Sequence, residues 1–185
     1  MAASPIGLQA RAVELRYKNK IADDAAAALS RASDEADGLG HEWWIGCEHL
    51  LLGLLSDKRS LAGRVLAHTG VDIESARAAV RRICGATEGM ERPEYSGKTY
   101  TTRATVVCRV AEIEAERLGA GAPGTGHYLL ALLTEGQSVA VRALVELRVD
   151  LEKLRGEVLG ALGVAPDTRD RYVSERQAYL TRSSS

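Results

Sequence analysis

The chain has 185 residues, with 24 Lys plus Arg against 25 Asp plus Glu and a formal charge of −1. That length favours one domain, or two small repeats sharing a core, and suffices to bury roughly 70% of the unfolded surface. The near-neutral balance excludes a general nucleic-acid binder, which needs surplus cations to neutralise phosphate, while 45% apolar and 26% charged residues exclude wholesale disorder.

No stretch approaches the roughly 18 consecutive apolar residues of a membrane span. The start, Met1-Ala-Ala-Ser-Pro5, lacks the charged and apolar regions of a signal peptide. Cys47, Cys84 and Cys108 are scattered and odd in number, which suits free thiols in a reducing compartment. A cytoplasmic location is the expectation. With no Phe and an aromatic share of 4%, the core must be built from Leu, Val, Ile and Ala.

In chain order, residues 1–18 form an N-terminal extension, partly helical after Pro5. Residues 19–85 hold four predicted helices. The first carries Ala25, Leu29, Ala32, Ala36 and Leu39 on one face, with Gly40 as its stop. Trp43 and Trp44 stand in the loop before a helix near 47–56 that is apolar on most sides, as expected of a central, buried helix. Ser60 and Asp72 are positioned to cap the third and fourth helices. Residues 86–99 are rich in turn formers and read as a linker.

Residues 100–163 repeat the pattern. Thr101 or Thr102 caps a helix carrying Ala104, Val107, Ala111, Ala115 and Leu118, and Gly119 follows as its stop. A Leu-rich helix near 126–134 comes next, and Ser138 and Asp150 are the expected caps of the last two helices. Residues 164–185 form a polar, charged tail. No run alternates as a half-buried strand does, so the expected fold is all-α.

The correspondence between the halves is a duplication. At a shift of 78, His49-Leu-Leu-Leu-Gly-Leu-Leu55 falls on His127-Tyr-Leu-Leu-Ala-Leu-Leu133, and Val71-Asp-Ile-Glu74 on Val149-Asp-Leu-Glu152. Upstream the shift is 79, and Ala32, Glu35, Ala36, Leu39 and Gly40 fall on Ala111, Glu114, Ala115, Leu118 and Gly119.

The pattern Leu39-Gly-His41 followed by Ile45-Gly-Cys-Glu-His-Leu-Leu-Leu-Gly-Leu-Leu55 resembles the Clp repeat, the paired four-helix unit at the N-terminus of Clp-type AAA+ unfoldases such as the ClpC chaperones. Tyr100-Thr-Thr-Arg-Ala104 is similar to the family's helix start. The resemblance covers about residues 20–163. It implies two pseudo-symmetric four-helix Clp repeats packed into one compact domain, a stand-alone pair without ATPase modules. It also implies a non-enzymatic role, with no cofactor, in which Clp ATPase or protease components, adaptors or substrate proteins are the partners.

The chemical motifs read mostly as structural. Gly97-Lys98-Thr99 mimics the end of a P-loop, but Arg92 stands where the first glycine belongs, so nucleotide binding is not expected. Cys47-Glu48-His49 holds a thiol, an acid and an imidazole, but adjacent helical side chains point about 100° apart. The match of His49 with His127 favours packing or capping over catalysis. His41, His49 and Cys47 lack paired metal-ligand spacing, so no metal is expected.

The resemblance also supplies candidate binding residues. Relatives bind phosphoarginine through a Thr at the helix start and a Glu in the Gly-Thr-Glu-His motif. Here Glu48 survives in the first copy but Ala22 and Cys47 replace the threonines. Thr101 and Thr125 survive in the second copy, where Gly126 replaces the Glu. Asp23 and Asp24 add charge that repels phosphate, so weak or no phosphoarginine binding is expected. Cyclic-peptide antibiotics bind relatives through aromatic residues at the start of both repeats, positions assigned here to Tyr17 and Tyr100. Trp43 and Trp44 are candidate anchors for a protein partner. The expected ligand-contacting set is thus Tyr17, Tyr100, Thr101, Glu48, Trp43 and Trp44.

Overall fold

The computed structural model describes residues 21–85 and 97–165. They contain eight helices: α1 (Asp23–Gly38), α2 (Cys47–Leu55), α3 (Leu61–His68), α4 (Ile73–Cys84), α5 (Thr102–Arg117), α6 (Thr125–Glu135), α7 (Val139–Glu146) and α8 (Leu151–Ala161). The fold is all-α, with the four-helix pattern occurring twice. The N-terminal extension, Tyr17, most of the linker and most of the tail lie outside the described residues.

The two Leu-rich helices are central. Every residue of α2 is buried, as is Thr125–Leu133 of α6. An apolar surface on all sides demands neighbours on all sides. α1 packs on α2 and α5 on α6, while α4 meets α7 and α3 meets α8 across the repeat boundary. Buried side chains from both copies, including Leu50, Leu52, Leu66, Leu130, Leu132 and Leu144, form one continuous cluster. The halves therefore share an interior.

Local signals set most helix ends. Asp72 accepts from Ser75 N–H at 2.9 Å, Asp150 from Lys153 N–H at 3.0 Å, Ser60 from Gly63 N–H at 3.0 Å and Thr101 from Ala104 N–H at 3.2 Å. Each satisfies one of the backbone donors that a helix start leaves free. Ser138 differs from expectation, because its side chain makes no cap bond. The Glu135 carboxylate instead accepts from the backbone N–H groups of Gln137 (3.1 Å) and Ser138 (2.7 Å). Gly40 and Gly119 end α1 and α5 at φ of 78° and 70°, the left-handed region where a Cβ is costly.

Two short strands depart from the expected absence of β-structure. β1 (Trp44–Ile45) and β2 (Thr99–Tyr100) pair in parallel, Trp44 opposite Thr99 and Ile45 opposite Tyr100. Thr99 N–H donates to the Trp43 carbonyl at 3.1 Å and Thr101 N–H to that of Ile45 at 3.0 Å. Two residues per strand are too few for a period-2 pattern to show in sequence. The ladder ties the loop before α2 to the residues entering α5, and it takes Thr99 out of the expected linker.

Candidate functional site

The α2 N-terminus is organised by an imidazole chain. Gly46 N–H donates to His49 Nδ1 at 2.8 Å, and His49 Nε2 lies 2.8 Å from His41 Nδ1. Because Nδ1 of His49 accepts, its proton must sit on Nε2, which donates to His41. Trp44 stacks on His41 with ring centroids 5.1 Å apart. In the second copy Gly124 N–H donates to His127 Nδ1 at 3.0 Å. The paired histidines are thus reverse caps, each satisfying the backbone donor of the residue that starts its helix.

This arrangement decides against two chemistries. His41, Glu48 and His49 place donor atoms within 4.8 Å of one another. A metal at His49 would compete with Gly46 N–H for one nitrogen or with a proton for the other. Burial, with smaller contributions from Glu135 and Glu48, pushes the Cys47 thiol up to about 12, which leaves no thiolate for attack. Lys98 is equally committed, since its ammonium holds the Ser33 carbonyl at 2.7 Å, the Ser33 hydroxyl at 3.1 Å and the Asp37 carboxylate. It belongs to an anchor between β2 and α1, not to a phosphate cradle.

The histidines also make stability pH-dependent. Burial, with His41 and Lys98 nearby, holds His49 down at about 3, and burial also lowers His41 and His127. Below the ordinary value near 6.5 the unfolded chain gains protons that the folded one refuses, so stability is complete above pH 6.5 and is lost as pH falls toward 3. In that window His49 alone removes about 1.4 kcal/mol per pH unit. Glu48, raised by burial, acts in the opposite sense near the carboxylate range. Urea titrations at pH 7.5 and 5 should show a lower midpoint at pH 5, and equal midpoints would contradict this assignment.

The ladder gathers four of the expected ligand-contacting residues. Trp43 and Trp44 stand on or beside β1 and Tyr100 on β2, and all three are half-buried. Thr101 follows β2 directly, with its hydroxyl already used as the α5 cap. Glu48 is separate: it sits 8% exposed on the first turn of α2, with its carboxylate folded over Gly46. A Cβ on Gly46 would meet Glu48 Oε1 at 2.1 Å, so a side chain there would oblige the flexible carboxylate to move away. Ala22 N–H donates to the Pro123 carbonyl at 3.1 Å, the counterpart of the Thr101–Ile45 bond. That register makes Ile21 the counterpart of Tyr100 in the first copy, while Tyr17 lies outside the described residues.

Asp24 is a residue whose full role the sequence did not disclose. Its Oδ2 accepts from the Thr125 hydroxyl at 2.7 Å and from Thr125 N–H at 3.3 Å, at the N-terminus of α6. Thr125 is fully buried, and its oxygen also accepts from Ala62 N–H at 3.3 Å. A carboxylate from the first repeat thus occupies the place where the second repeat would receive an anion.

Two packed helical repeats, joined by a short ladder that carries half-buried aromatic side chains, define a duplicated all-α domain. Comparison with known proteins gives the family. The model of the Clp repeat (R) N-terminal domain matches residues 20–147 and again 99–185. A ClpA homolog of Guillardia theta, an ATP-binding subunit of the ATP-dependent Clp protease, is 37% identical over 144 residues, covering 78% of this chain and 17% of that protein. The chloroplastic chaperone protein ClpC1 of Oryza sativa subsp. japonica is 34% identical over 159 residues, covering 86% of this chain and 17% of its own length. The solved N-terminal domain of the chaperone ClpD from Arabidopsis thaliana superposes with a TM-score of 0.67 at 23% identity, covering 78% of this chain and 96% of that domain. The chain belongs to the Clp repeat N-terminal domain family. It matches the N-domains of these chaperones and spans about one-sixth of the length of the relatives quoted.

One expectation is corrected here. The cytoplasmic location does not stand, because several relatives, the rice ClpC1 protein among them, are chloroplastic chaperones. Three scattered free thiols do not distinguish one reducing compartment from another.

Proposed function

We propose that this chain is a non-enzymatic protein- and peptide-binding module that acts as an adaptor, competitor or decoy toward Clp protease components, their adaptors or their substrates. The observation that carries this reading is the aromatic ledge at β1, where half-buried Trp43 and Trp44 stand beside and on the strand, while Tyr100, paired with buried Ile45, packs against the core. Aromatic rings offer large contact area at low entropic cost. A structure of the same fold, the N-domain of ClpV, is a complex with a VipB peptide, with a TM-score of 0.58 at 17% identity. Phosphoarginine fits poorly, because Asp24 already occupies the α6 start and Glu48 covers that of α2. Capture of cyclic-peptide antibiotics is the less favoured reading, since Ile21, the counterpart of Tyr100 in the first copy, offers no aromatic ring.

The test is a competition experiment. A fluorescent unfolded polypeptide is bound to the isolated N-domain of a ClpC-type chaperone, and this chain is titrated in. Displacement is expected, together with a change in tryptophan emission, since the chain has only two Trp and both are at the ledge. The double variant Trp43→Ala/Trp44→Ala should weaken displacement about tenfold or more, in keeping with interface tryptophans. Failure of the native chain to displace or bind the polypeptide would remove this reading.

A further inference from the structure

The central helices α2 and α6 end differently in the two copies. A helix leaves its last carbonyls without intrahelical donors, and its dipole makes that end attractive to cations. At the end of α6 the Arg155 guanidinium, 3% exposed, donates to the Leu133 carbonyl at 2.6 Å. The duplication sets Leu55, at the end of α2, on Leu133, and Arg77 on Arg155. Arg77, however, is turned to other partners. Its Nε and Nη2 donate to the two Glu35 oxygens at 2.8 and 2.5 Å, and its Nη1 donates to Glu74. The Leu55 carbonyl accepts no hydrogen bond among the described residues, and the last turn of α2 holds no basic side chain.

A cleft of about 390 Å³ opens at this end of α2. Ala67, Val71 and Ile73 give it an aliphatic wall. At its edge Glu35, Asp72 and Glu74 outnumber Arg77 and Lys58 by one carboxylate. An arginine side chain suits both parts: its methylene stem packs on an apolar wall, and its planar head carries five donors in a fork that serves a carbonyl and a carboxylate together.

We propose that this cleft binds an arginine side chain presented by a protein partner, with the guanidinium at the Leu55 carbonyl and the stem along Ala67, Val71 and Ile73. The second copy supplies the template, since Arg155 already fills the matching place on α6 from within the chain. One guanidinium neutralises the surplus carboxylate, and Lys58, exposed at the rim, turns to solvent as it enters. The site lies at the opposite end of α2 from Glu48 and from the Trp43–Trp44 ledge, about 12 Å along the helix. It therefore does not depend on the function proposed for that ledge.

NMR titration of the full, 15N-labelled chain tests it. The probes are N-acetyl-arginine amide and its neutral isostere N-acetyl-citrulline amide, each taken to about 20 mM, above the millimolar constants expected of fragments this small. Saturating amide shifts centred on residues 55–58 and 67–77 are expected with the arginine probe, and binding about tenfold weaker or less with citrulline. Ala67→Leu fills the cleft from an exposed position and should abolish the arginine response with the melting temperature unchanged, whereas Ala67→Ser should keep it. No saturating shifts, shifts centred elsewhere, an equal response to citrulline, or undiminished binding by the folded Ala67→Leu variant would each overturn the proposal.

Discussion

Replacing His49 with alanine is expected to lower the unfolding free energy by about 3–5 kcal/mol, read as a fall in the urea midpoint at constant slope. The ring is fully buried and joined to two groups, Gly46 N–H and His41 Nδ1. Alanine strands both, and each unsatisfied buried polar group costs about 1–3 kcal/mol before the cavity is counted. Glutamine at the same position keeps an acceptor for Gly46 and should recover part of the loss. His127→Ala provides the internal comparison: it removes the bond to Gly124 without breaking a histidine pair, and a smaller loss is expected. Equal losses at the two sites would show that the His41–His49 pair contributes nothing.

The second large effect is expected at Gly53. α1 crosses α2 here so closely that a Cβ on Gly53 would lie 2.3 Å from the Ala28 carbonyl oxygen and 2.9 Å from the Ala32 nitrogen. Both are backbone atoms of a packed helix, so no side chain can rotate away. Gly53→Ala must push α1 off α2, at a cost of at least about 2–3 kcal/mol, even though alanine is the better helix former. The control is Gly156 on α8, where nothing lies within 4 Å of the added carbon. There the same substitution should stabilise by about 0.5–1 kcal/mol. Comparing the two thermal midpoints separates steric crowding from helix propensity.

Much of the architecture was legible because it is written in local chemistry and then written again. The apolar faces of α1 and α5, the all-round apolar α2 and α6, and the caps at Ser60, Asp72, Thr101 and Asp150 each depend on a few neighbouring residues. The two histidines spoke through their repetition, which implied a structural duty before any distance was known. What stayed hidden depends on contacts between distant residues. The silence of the Ser138 hydroxyl at the start of α7 is an exception, since it is a local matter that the cap signal alone misjudges. The β1–β2 ladder joins residues more than fifty apart with no pattern long enough to announce it. Asp24 read as a charge that repels phosphate, whereas its bond to Thr125 crosses the repeat boundary. Of the candidate binding residues, the ladder brings together Trp43, Trp44, Tyr100 and Thr101, and Glu48 is turned to an internal task.

The seat of Asp24 also governs what the domain will reject. A side chain fixed to the same polypeptide competes as though present at millimolar concentration or above, and it never diffuses away. Any free oxyanion approaching the start of α6 must evict this tethered rival and repair the Thr125 bonds it leaves behind. The two repeats, alike in backbone, therefore fill the starts of their central helices from different places, α6 with Asp24 from the other repeat and α2 with Glu48 of its own first turn.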